Sequence, residues 1–198
     1  MEAYLDNSAT TRVDAQVQEL MKKLMDIDFG NPSSRHQKGV VAEGYIKEAR
    51  HKIAATLKVD PKELIITSGG TESNNMALIG TALAAKRKGN HIITTAVEHP
   101  SVKATASFLE EQGFRITFLS VDSRGQISLE ELKEALTPDT ILVSIMYVNN
   151  EIGTIQPVEE AAKLVHATVP GAVFHVDAIQ AYGKVMIRPK QQGIDLLS

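Results

Sequence analysis

The feature that most constrains the fold of this chain is a repeated alternation of short apolar segments with longer helical ones. The apolar segments predict strands at ELIITSGG, HIITTAVEH, ITFLSVD, TILVSIMYVNN and AVFHVDA. Helical segments lie between them, at ESNNMALIGTALAAKRKG, PSVKATASFLEEQG, the stretch that begins at Ser128, and VEEAAKLVHATV. This alternation predicts an α/β fold with three layers, α/β/α, around a mainly parallel sheet.

The ends of two helices are marked by local signals. Pro100 suits the first position of a helix, and Gly113 suits the position just after its end. Ser128 is followed three positions later by Glu131, a spacing that predicts a capping box.

Composition excludes several classes of protein. The 198 residues contain no cysteine, so neither a disulfide framework nor a thiolate metal site is expected. The net charge of -3 gives no reason to expect nucleic acid or an anionic membrane as a partner. No apolar run is long enough to span a membrane and no signal peptide opens the chain, which predicts a cytoplasmic protein. The histidines lack metal-ligand spacing, and no metal site is predicted.

Polar residues follow the predicted strands at four places. The stretches are SGGTESNN (68–75), VEH (97–99), NNEIGT (149–154) and DAIQ (177–180). Ligands of parallel α/β sheets bind beyond the carboxyl ends of the strands. These four stretches are therefore expected to meet in one crevice.

The glycine turn SGGTESNN leads directly into a predicted helix. Gly70 lets the backbone approach a ligand, and Thr71 places a hydroxyl at or near the N-cap. Free N–H groups and the helix dipole would then hold an anion such as a phosphate. An ordinary threonine cap explains the same residues equally well. The P-loop and GxGxxG motifs are both absent, which weakens the case for ATP or a dinucleotide.

Other polar residues at the strand ends have two interpretations each. His99 either stacks on a ligand and carries protons or merely caps a loop. Asn149 and Asn150 either orient a substrate or satisfy turn backbone. Glu151 and His175 are expected to be structural, as a loop charge and a core histidine with a partner.

Asp177 ends an otherwise apolar strand, and a buried carboxylate is costly unless a cation pairs with it. A phosphate at Thr71, a ring beside His99 and a cation at Asp177 together describe pyridoxal phosphate. Its pyridine nitrogen must stay protonated, and an aspartate beside that nitrogen keeps it so. Gln180 is placed to donate to the phenolate oxygen of the ring.

With these residues in place, the chain resembles the cysteine desulfurases, pyridoxal-phosphate enzymes of the aspartate-aminotransferase fold. The matching stretches follow the order and spacing of the family from one end of the chain to the other. They are YLDNSATTRVD, FGNPSSRHQKG, ITSGGTESNN, TTAVEHPSV, ILVSIMYVNNEIGTIQPVEE and FHVDAIQAYGK. The form VNNEIGTIQPVEE looks like the branch that supplies sulfur for iron–sulfur clusters or tRNA.

The resemblance implies a role for each candidate residue. Gly70 and Thr71 would hold the coenzyme phosphate, and His99 would stack on the ring and shuttle protons as a catalytic residue. Asn150 would contact the substrate or the ring oxygen. In the same site, Asp177 would pair with the pyridinium and Gln180 would bond the phenolate.

The resemblance also implies how the chain is divided. Residues 1–14 would pack with the small domain of the family, and residues 15–198 would form an incomplete large domain that binds the coenzyme. The lysine of the family that forms the Schiff base would lie about five residues beyond Ser198. The persulfide-forming cysteine would lie much later, so the chain is expected to be the N-terminal half of the enzyme.

The implied reaction takes sulfur from L-cysteine to give alanine and an enzyme persulfide. An iron–sulfur scaffold or a tRNA-thiolation protein would accept the sulfur, and the enzyme would be a homodimer. The alternatives are a selenocysteine lyase or transaminase, or a truncated remnant that binds or assembles without turnover.

Overall fold

The structure, a computed structural model, describes residues 2–198. The chain divides into two compact units, the first ending at Ile65 and the second beginning at Ile66.

The first unit is helical. Its helices are α1 (Ala15–Asp26), α2 (Gln37–Leu57) and a short 3₁₀ helix (Pro61–Glu63). Asp14 caps α1 by accepting a hydrogen bond from the backbone N–H of Gln16. Beyond the end of α1, the Asp28 carboxylate accepts a hydrogen bond of 2.7 Å from the Tyr45 hydroxyl on α2. This bond ties the two helices together.

The second unit contains a five-stranded sheet whose strands all run parallel. The strands are β1 (His91–Thr95), β2 (Arg115–Leu119), β3 (Thr140–Met146), β4 (Val173–Asp177) and β5 (Leu196–Leu197). They lie in the order β2-β1-β3-β4-β5. The predicted parallel α/β fold is therefore confirmed, and the central strand β3 is buried along its whole length.

Helices cover both faces of this sheet. They are α3 (Gly70–Ala85), α4 (Pro100–Glu111), α5 (Leu129–Ala135), α6 (Val158–Thr168) and α7 (Pro189–Gln192). The chain crosses the sheet in one direction from β1 to β2 and in the opposite direction from β2 to β3. Because such crossovers are right-handed, α4 and α5 lie on opposite faces. Helix α3 packs with α4, and α6 packs with α5.

The strand order creates a switch point between β1 and β3. The connection that follows β1 runs over one face of the sheet, and the connection that follows β3 runs over the other. A crevice opens at the carboxyl ends of two such strands, and ligands bind there. The loops that begin after Thr95 and Met146 border this crevice.

One predicted strand is wrong. ELIITSGG forms no strand, and the side chains of Ile65 and Ile66 are 70% and 61% exposed. A strand requires hydrogen bonds to a neighbouring strand, and within residues 2–198 no strand lies beside this segment. Its apolar composition indicated burial, but composition does not supply a partner.

The predicted helix ends are confirmed in part. Pro100 occupies the first turn of α4, and Gly113 follows its end with a positive φ of 91°. Ser128 caps α5 by accepting from the backbone N–H of Glu131. The second half of the predicted capping box is wrong, because the Glu131 carboxylate binds the backbone N–H and the hydroxyl of Ser120 instead.

We expect Leu142→Ala to destabilise the protein by about 2–5 kcal/mol, because Leu142 is fully buried in β3 and its truncation leaves a cavity. Leu83→Ala is the control, since Leu83 is exposed on α3 and the same chemical change there takes place outside the core. Urea unfolding of the two variants measures the difference. Equal losses of stability would contradict the packing described for β3.

Candidate functional site

Asp177 is the last residue of β4, and its side chain is only 6% exposed. One carboxylate oxygen accepts a hydrogen bond of 2.8 Å from the Asn74 amide, and the other accepts one of 3.1 Å from the backbone N–H of Ile179. Both donors are neutral. Within residues 2–198 no cationic side chain forms an ion pair with Asp177. A buried carboxylate in this setting is suited to a cationic group on a ligand.

The N-terminus of α3 offers an anion site close to Asp177. The helix begins at Gly70, and its N-cap Gly69 provides no side-chain cap. The first backbone bond of the helix runs from Ser73 N to Gly69 O, so the N–H groups before Ser73 lack an acceptor within the helix. These donors and the helix dipole favour a phosphate.

Gly70 and Thr71 lie where the sequence placed them, at this helix start. A Cβ added to Gly70 would lie 2.7 Å from the end of the Ile179 side chain, so the start of the helix lies against the loop that follows Asp177. Thr71 is the second residue of the helix and is exposed. Its hydroxyl is thus near the N-cap but does not cap the helix.

His99 lies at the end of the loop that follows β1. It is the N-cap of α4, and its Nδ1 accepts a hydrogen bond of 3.2 Å from the backbone N–H of Ser101. Its Nδ1 is also 2.8 Å from the Ser101 hydroxyl. The ring is exposed, so the capping role leaves its other nitrogen accessible to a ligand.

The two asparagines after β3 differ in their roles. The Asn149 carbonyl oxygen accepts from the backbone N–H groups of Glu151 and Ile152, and its amide donates to Val97 O at 3.0 Å. Asn149 thus satisfies turn backbone, one of its two predicted roles. Asn150 is half-buried, and its amide donates to the Glu151 carboxylate at 2.9 Å.

Gln180 follows Asp177 on the loop after β4 and is half-buried. Its carbonyl oxygen accepts a hydrogen bond of 3.1 Å from the Lys184 ammonium. This bond, like that of Asn150, stays within one loop. Gly70 thus lies beside the Asp177 loop, to which Gln180 itself belongs, and the bonds given for Asn150 and Gln180 join residues of the same loop.

Glu98 is a further buried acid that sequence reasoning missed. Its side chain is 3% exposed, and one carboxyl oxygen accepts from the Thr95 hydroxyl at 2.9 Å and from Met146 N at 2.8 Å. Its other oxygen has no hydrogen-bond partner in the described part of the chain. These bonds span the crevice between β1 and β3. Its position beside His99 in VEH, at the end of a buried strand, was the available signal.

Burial raises the pKa of Glu98 to about 8. The negative charge of Asp177 contributes to this rise, whereas the bonds from Met146 and Thr95 and the charge of Lys103 oppose it. Since its pKa lies above 7, Glu98 is mainly protonated at neutral pH. Glu98 therefore adds no negative charge to this buried region at neutral pH.

His175 is structural, as predicted. It is fully buried in β4, and its ring nitrogens bond the hydroxyls of Ser144 at 2.9 Å and Ser198 at 3.0 Å. Burial lowers the pKa of His175 to about 3, so its ring is neutral. The Ser198 hydroxyl accepts a further hydrogen bond from Ser73 on α3 at 2.8 Å. This chain of bonds fastens the end of β5 to α3.

Residues 2–198 hold neither a candidate metal site nor a candidate membrane-spanning helix. No group of three or more His, Cys, Asp or Glu side chains is arranged to hold a metal ion. None of the helices has both the length and the apolar character needed to cross a membrane.

The family profile of the class-V aminotransferases matches residues 3–198, and the chain belongs to this family. A putative cysteine desulfurase, IscS 1 of Bacillus subtilis (strain 168), is 49% identical over 195 residues, which cover 98% of this chain and 51% of that protein. The chain spans about half the length of the curated relatives it matches.

Solved structures agree with this assignment. A NifS-like protein superposes with a TM-score of 0.97 at 42% identity, over 100% of this chain and 54% of that chain. The structure of SspA in complex with cysteine gives a TM-score of 0.94 at 39% identity, over 98% of this chain and 56% of that one. The family depends on pyridoxal phosphate, which is the coenzyme predicted from the strand ends.

We expect Glu98→Gln to change how stability depends on pH. In wild type the folded state keeps the Glu98 proton up to about pH 8, whereas the unfolded state loses it near 4.5. Between these pH values only the unfolded state releases the proton. The free energy of unfolding therefore falls as pH rises, by at most about 1.4 kcal/mol per pH unit. Glutamine cannot ionise, so the variant lacks this decline.

Urea unfolding at pH 5 and pH 8 measures the effect, with Glu110→Gln on the exposed side of α4 as the control. The stability of Glu98→Gln relative to wild type should be greater at pH 8 than at pH 5. If both variants differ from wild type by the same amount at the two pH values, Glu98 is not held protonated.

Proposed function

We propose that the complete protein is a pyridoxal-phosphate-dependent cysteine desulfurase, which takes sulfur from L-cysteine and leaves alanine. The observation that carries this proposal is the buried Asp177 carboxylate, without a cationic partner in residues 2–198, next to the uncapped N-terminus of α3. The Asp177 carboxylate is suited to a cation, and the N-terminus of α3 is suited to an anion. Relatives named cysteine desulfurase support the substrate.

The phosphate end of the coenzyme fits the start of α3. The free N–H groups of Gly70 and Thr71 would bind phosphate oxygens, and the Thr71 hydroxyl would add a further donor. Gly70 at this helix start lies against the Ile179 side chain and thereby beside the Asp177 loop. Phosphate and ring would thus be held within one small region.

The ring end fits Asp177. Pyridoxal phosphate, when bound, supplies a protonated ring that accepts electrons from the substrate. The Asp177 carboxylate would hold the proton on the ring nitrogen by accepting its hydrogen bond. The bonds from Asn74 and Ile179 N keep this carboxylate oriented.

The remaining predicted residues complete the site in this proposal. His99 would stack on the ring and move protons through Nε2, since its Nδ1 is engaged with Ser101. Gln180 would donate to the phenolate oxygen of the ring, and Asn150 would contact the substrate or the same oxygen. We place the lysine and the cysteine thiolate of the reaction outside these 198 residues, which contain no cysteine.

The finer features of the protein are also proposals. We propose a cytoplasmic homodimer that passes sulfur to an iron–sulfur scaffold or a tRNA-thiolation protein. In the complete protein, residues 1–14 would pack with a small domain and residues 15–198 would belong to the large domain.

Asp177→Asn should lower alanine production from L-cysteine by roughly 100-fold or more, because the amide cannot stabilise a protonated ring nitrogen. The complete protein, loaded with pyridoxal phosphate, is assayed for alanine and for coenzyme content. Asp26→Asn, which alters an exposed carboxylate on α1, serves as the control. Near-wild-type turnover of Asp177→Asn with full coenzyme content would refute the role of Asp177.

Thr71→Ala should weaken coenzyme binding by roughly tenfold, about 1.4 kcal/mol, through loss of one hydrogen bond to a charged phosphate. Titration of the coenzyme-free protein with pyridoxal phosphate measures the affinity. Thr56→Ala, which makes the same change at an exposed position of α2, is the matched control. An affinity equal to that of the control would move the phosphate site away from α3.

A further inference from the structure

A chain of hydrogen bonds joins Asp177 to His99 through two residues that sequence reasoning did not identify. The Asn74 amide nitrogen lies 2.8 Å from an Asp177 oxygen and 3.0 Å from the Ser101 hydroxyl. The Ser101 hydroxyl in turn lies 2.8 Å from His99 Nδ1. Asn74 belongs to α3 and Ser101 to α4, so the chain crosses between two helices.

The direction of each bond follows from the chemistry of the groups. An ionised carboxylate only accepts, so the Asn74 nitrogen rather than its oxygen must face Asp177. The same nitrogen donates to the Ser101 oxygen, which leaves the Ser101 proton available for His99 Nδ1. The backbone N–H of Ser101 also donates to Nδ1. Because Nδ1 accepts from both donors, the neutral ring carries its proton on Nε2.

The hydrogen bonds of Asn74 and Ser101 are shielded from water. Asn74 is 1% exposed and Ser101 is 9% exposed, so water does not compete freely for their polar groups. The Asn74 carbonyl oxygen is buried and has no partner within residues 2–198. The Asn74 side chain is therefore oriented so that its nitrogen donates to Asp177 and Ser101, although this leaves its carbonyl oxygen without a hydrogen bond.

The bond between Asn74 and Ser101 is not needed merely to hold α3 and α4 together. Asn75 and Thr105 already form a side-chain hydrogen bond between the same two helices. Neither of these residues hydrogen-bonds Asp177 or His99 in the described part of the chain. Asn74 and Ser101 differ from them in the groups that they reach.

We propose that Asn74 and Ser101 are positioning residues that link the two residues assigned to the coenzyme ring, which deepens the function proposed above and rests on it. Asn74 orients the Asp177 carboxylate, and Ser101 holds His99 as the Nε2–H tautomer. The orientation of the carboxylate and the position of the imidazole proton are thereby set together. Neither residue needs to touch the substrate.

The first test is the tautomer of His99 in the complete protein with bound pyridoxal phosphate. Histidine labelled with ¹⁵N in the ring reports which nitrogen is protonated, and His99→Gln identifies the resonance by its loss. The expected result is an unprotonated Nδ1 in the neutral ring. A neutral His99 with its proton on Nδ1 would overturn the proposal. This test needs no substitution at Asn74 or Ser101.

The second test uses variants of the linking residues. Ser101→Ala should lower kcat by roughly tenfold with little change in KM, and should shift the pH at which the absorbance of the bound coenzyme changes. Ser101→Thr, which keeps the hydroxyl, should restore both. Asn75→Ala is the control, because it removes the other bond between α3 and α4 and should leave the spectral titration as in wild type.

A double-mutant cycle then tests whether the residues act together. If they act as one unit, the spectral shifts of Asn74→Ala and Ser101→Ala do not add in the double variant. Additive shifts, or a Ser101→Ala titration identical to that of Asn75→Ala, would overturn the proposal. These readouts need bound coenzyme but no turnover. A wild-type protein that binds the coenzyme and makes no alanine would therefore refute the proposed function separately.

Discussion

The site depends on one physical constraint, the burial of the Asp177 carboxylate at the end of β4. A carboxylate removed from water needs hydrogen bonds to both oxygens and, where possible, a cation. The protein supplies the hydrogen bonds through Asn74 and Ile179 N. In the proposed site the protonated ring nitrogen of the coenzyme would be that cation, so that one residue would support both its binding and its reactivity.

Glu98 shows how a second acid can share this region. It spans the crevice between β1 and β3 through its bonds to Thr95 and Met146 N, and burial raises its pKa to about 8. A protonated Glu98 fixes the loop that carries His99, through its bonds to Thr95 and Met146 N, and adds no negative charge beside Asp177. The switch point of the sheet is thus bridged by a neutral group, and the charge is concentrated where the ring nitrogen is expected to bind.

Much of the fold was predictable because its signals are local. Alternating apolar and helical segments indicate strands and helices, and proline and glycine mark helix ends, as Pro100 and Gly113 do for α4. Both errors concern pairing with residues outside the segment itself. ELIITSGG has strand-like composition without a neighbouring strand, and Glu131 binds Ser120 instead of completing the cap of its own helix. Local propensity cannot identify such partners, since tertiary contacts compete with it.

The sequence by itself determined which polar groups end the strands, including Asp177, and which glycines open the α3 helix. It also determined the family, because motifs in order and spacing are properties of the chain alone. Only the tertiary structure decided the strand order, the switch point, and the path from Asp177 through Asn74 and Ser101 to His99. The physical reason is that hydrogen bonds between α3, α4 and β4 join residues as far apart as Asn74 and Asp177 in sequence. Their distances exist only after the sheet has brought these elements together.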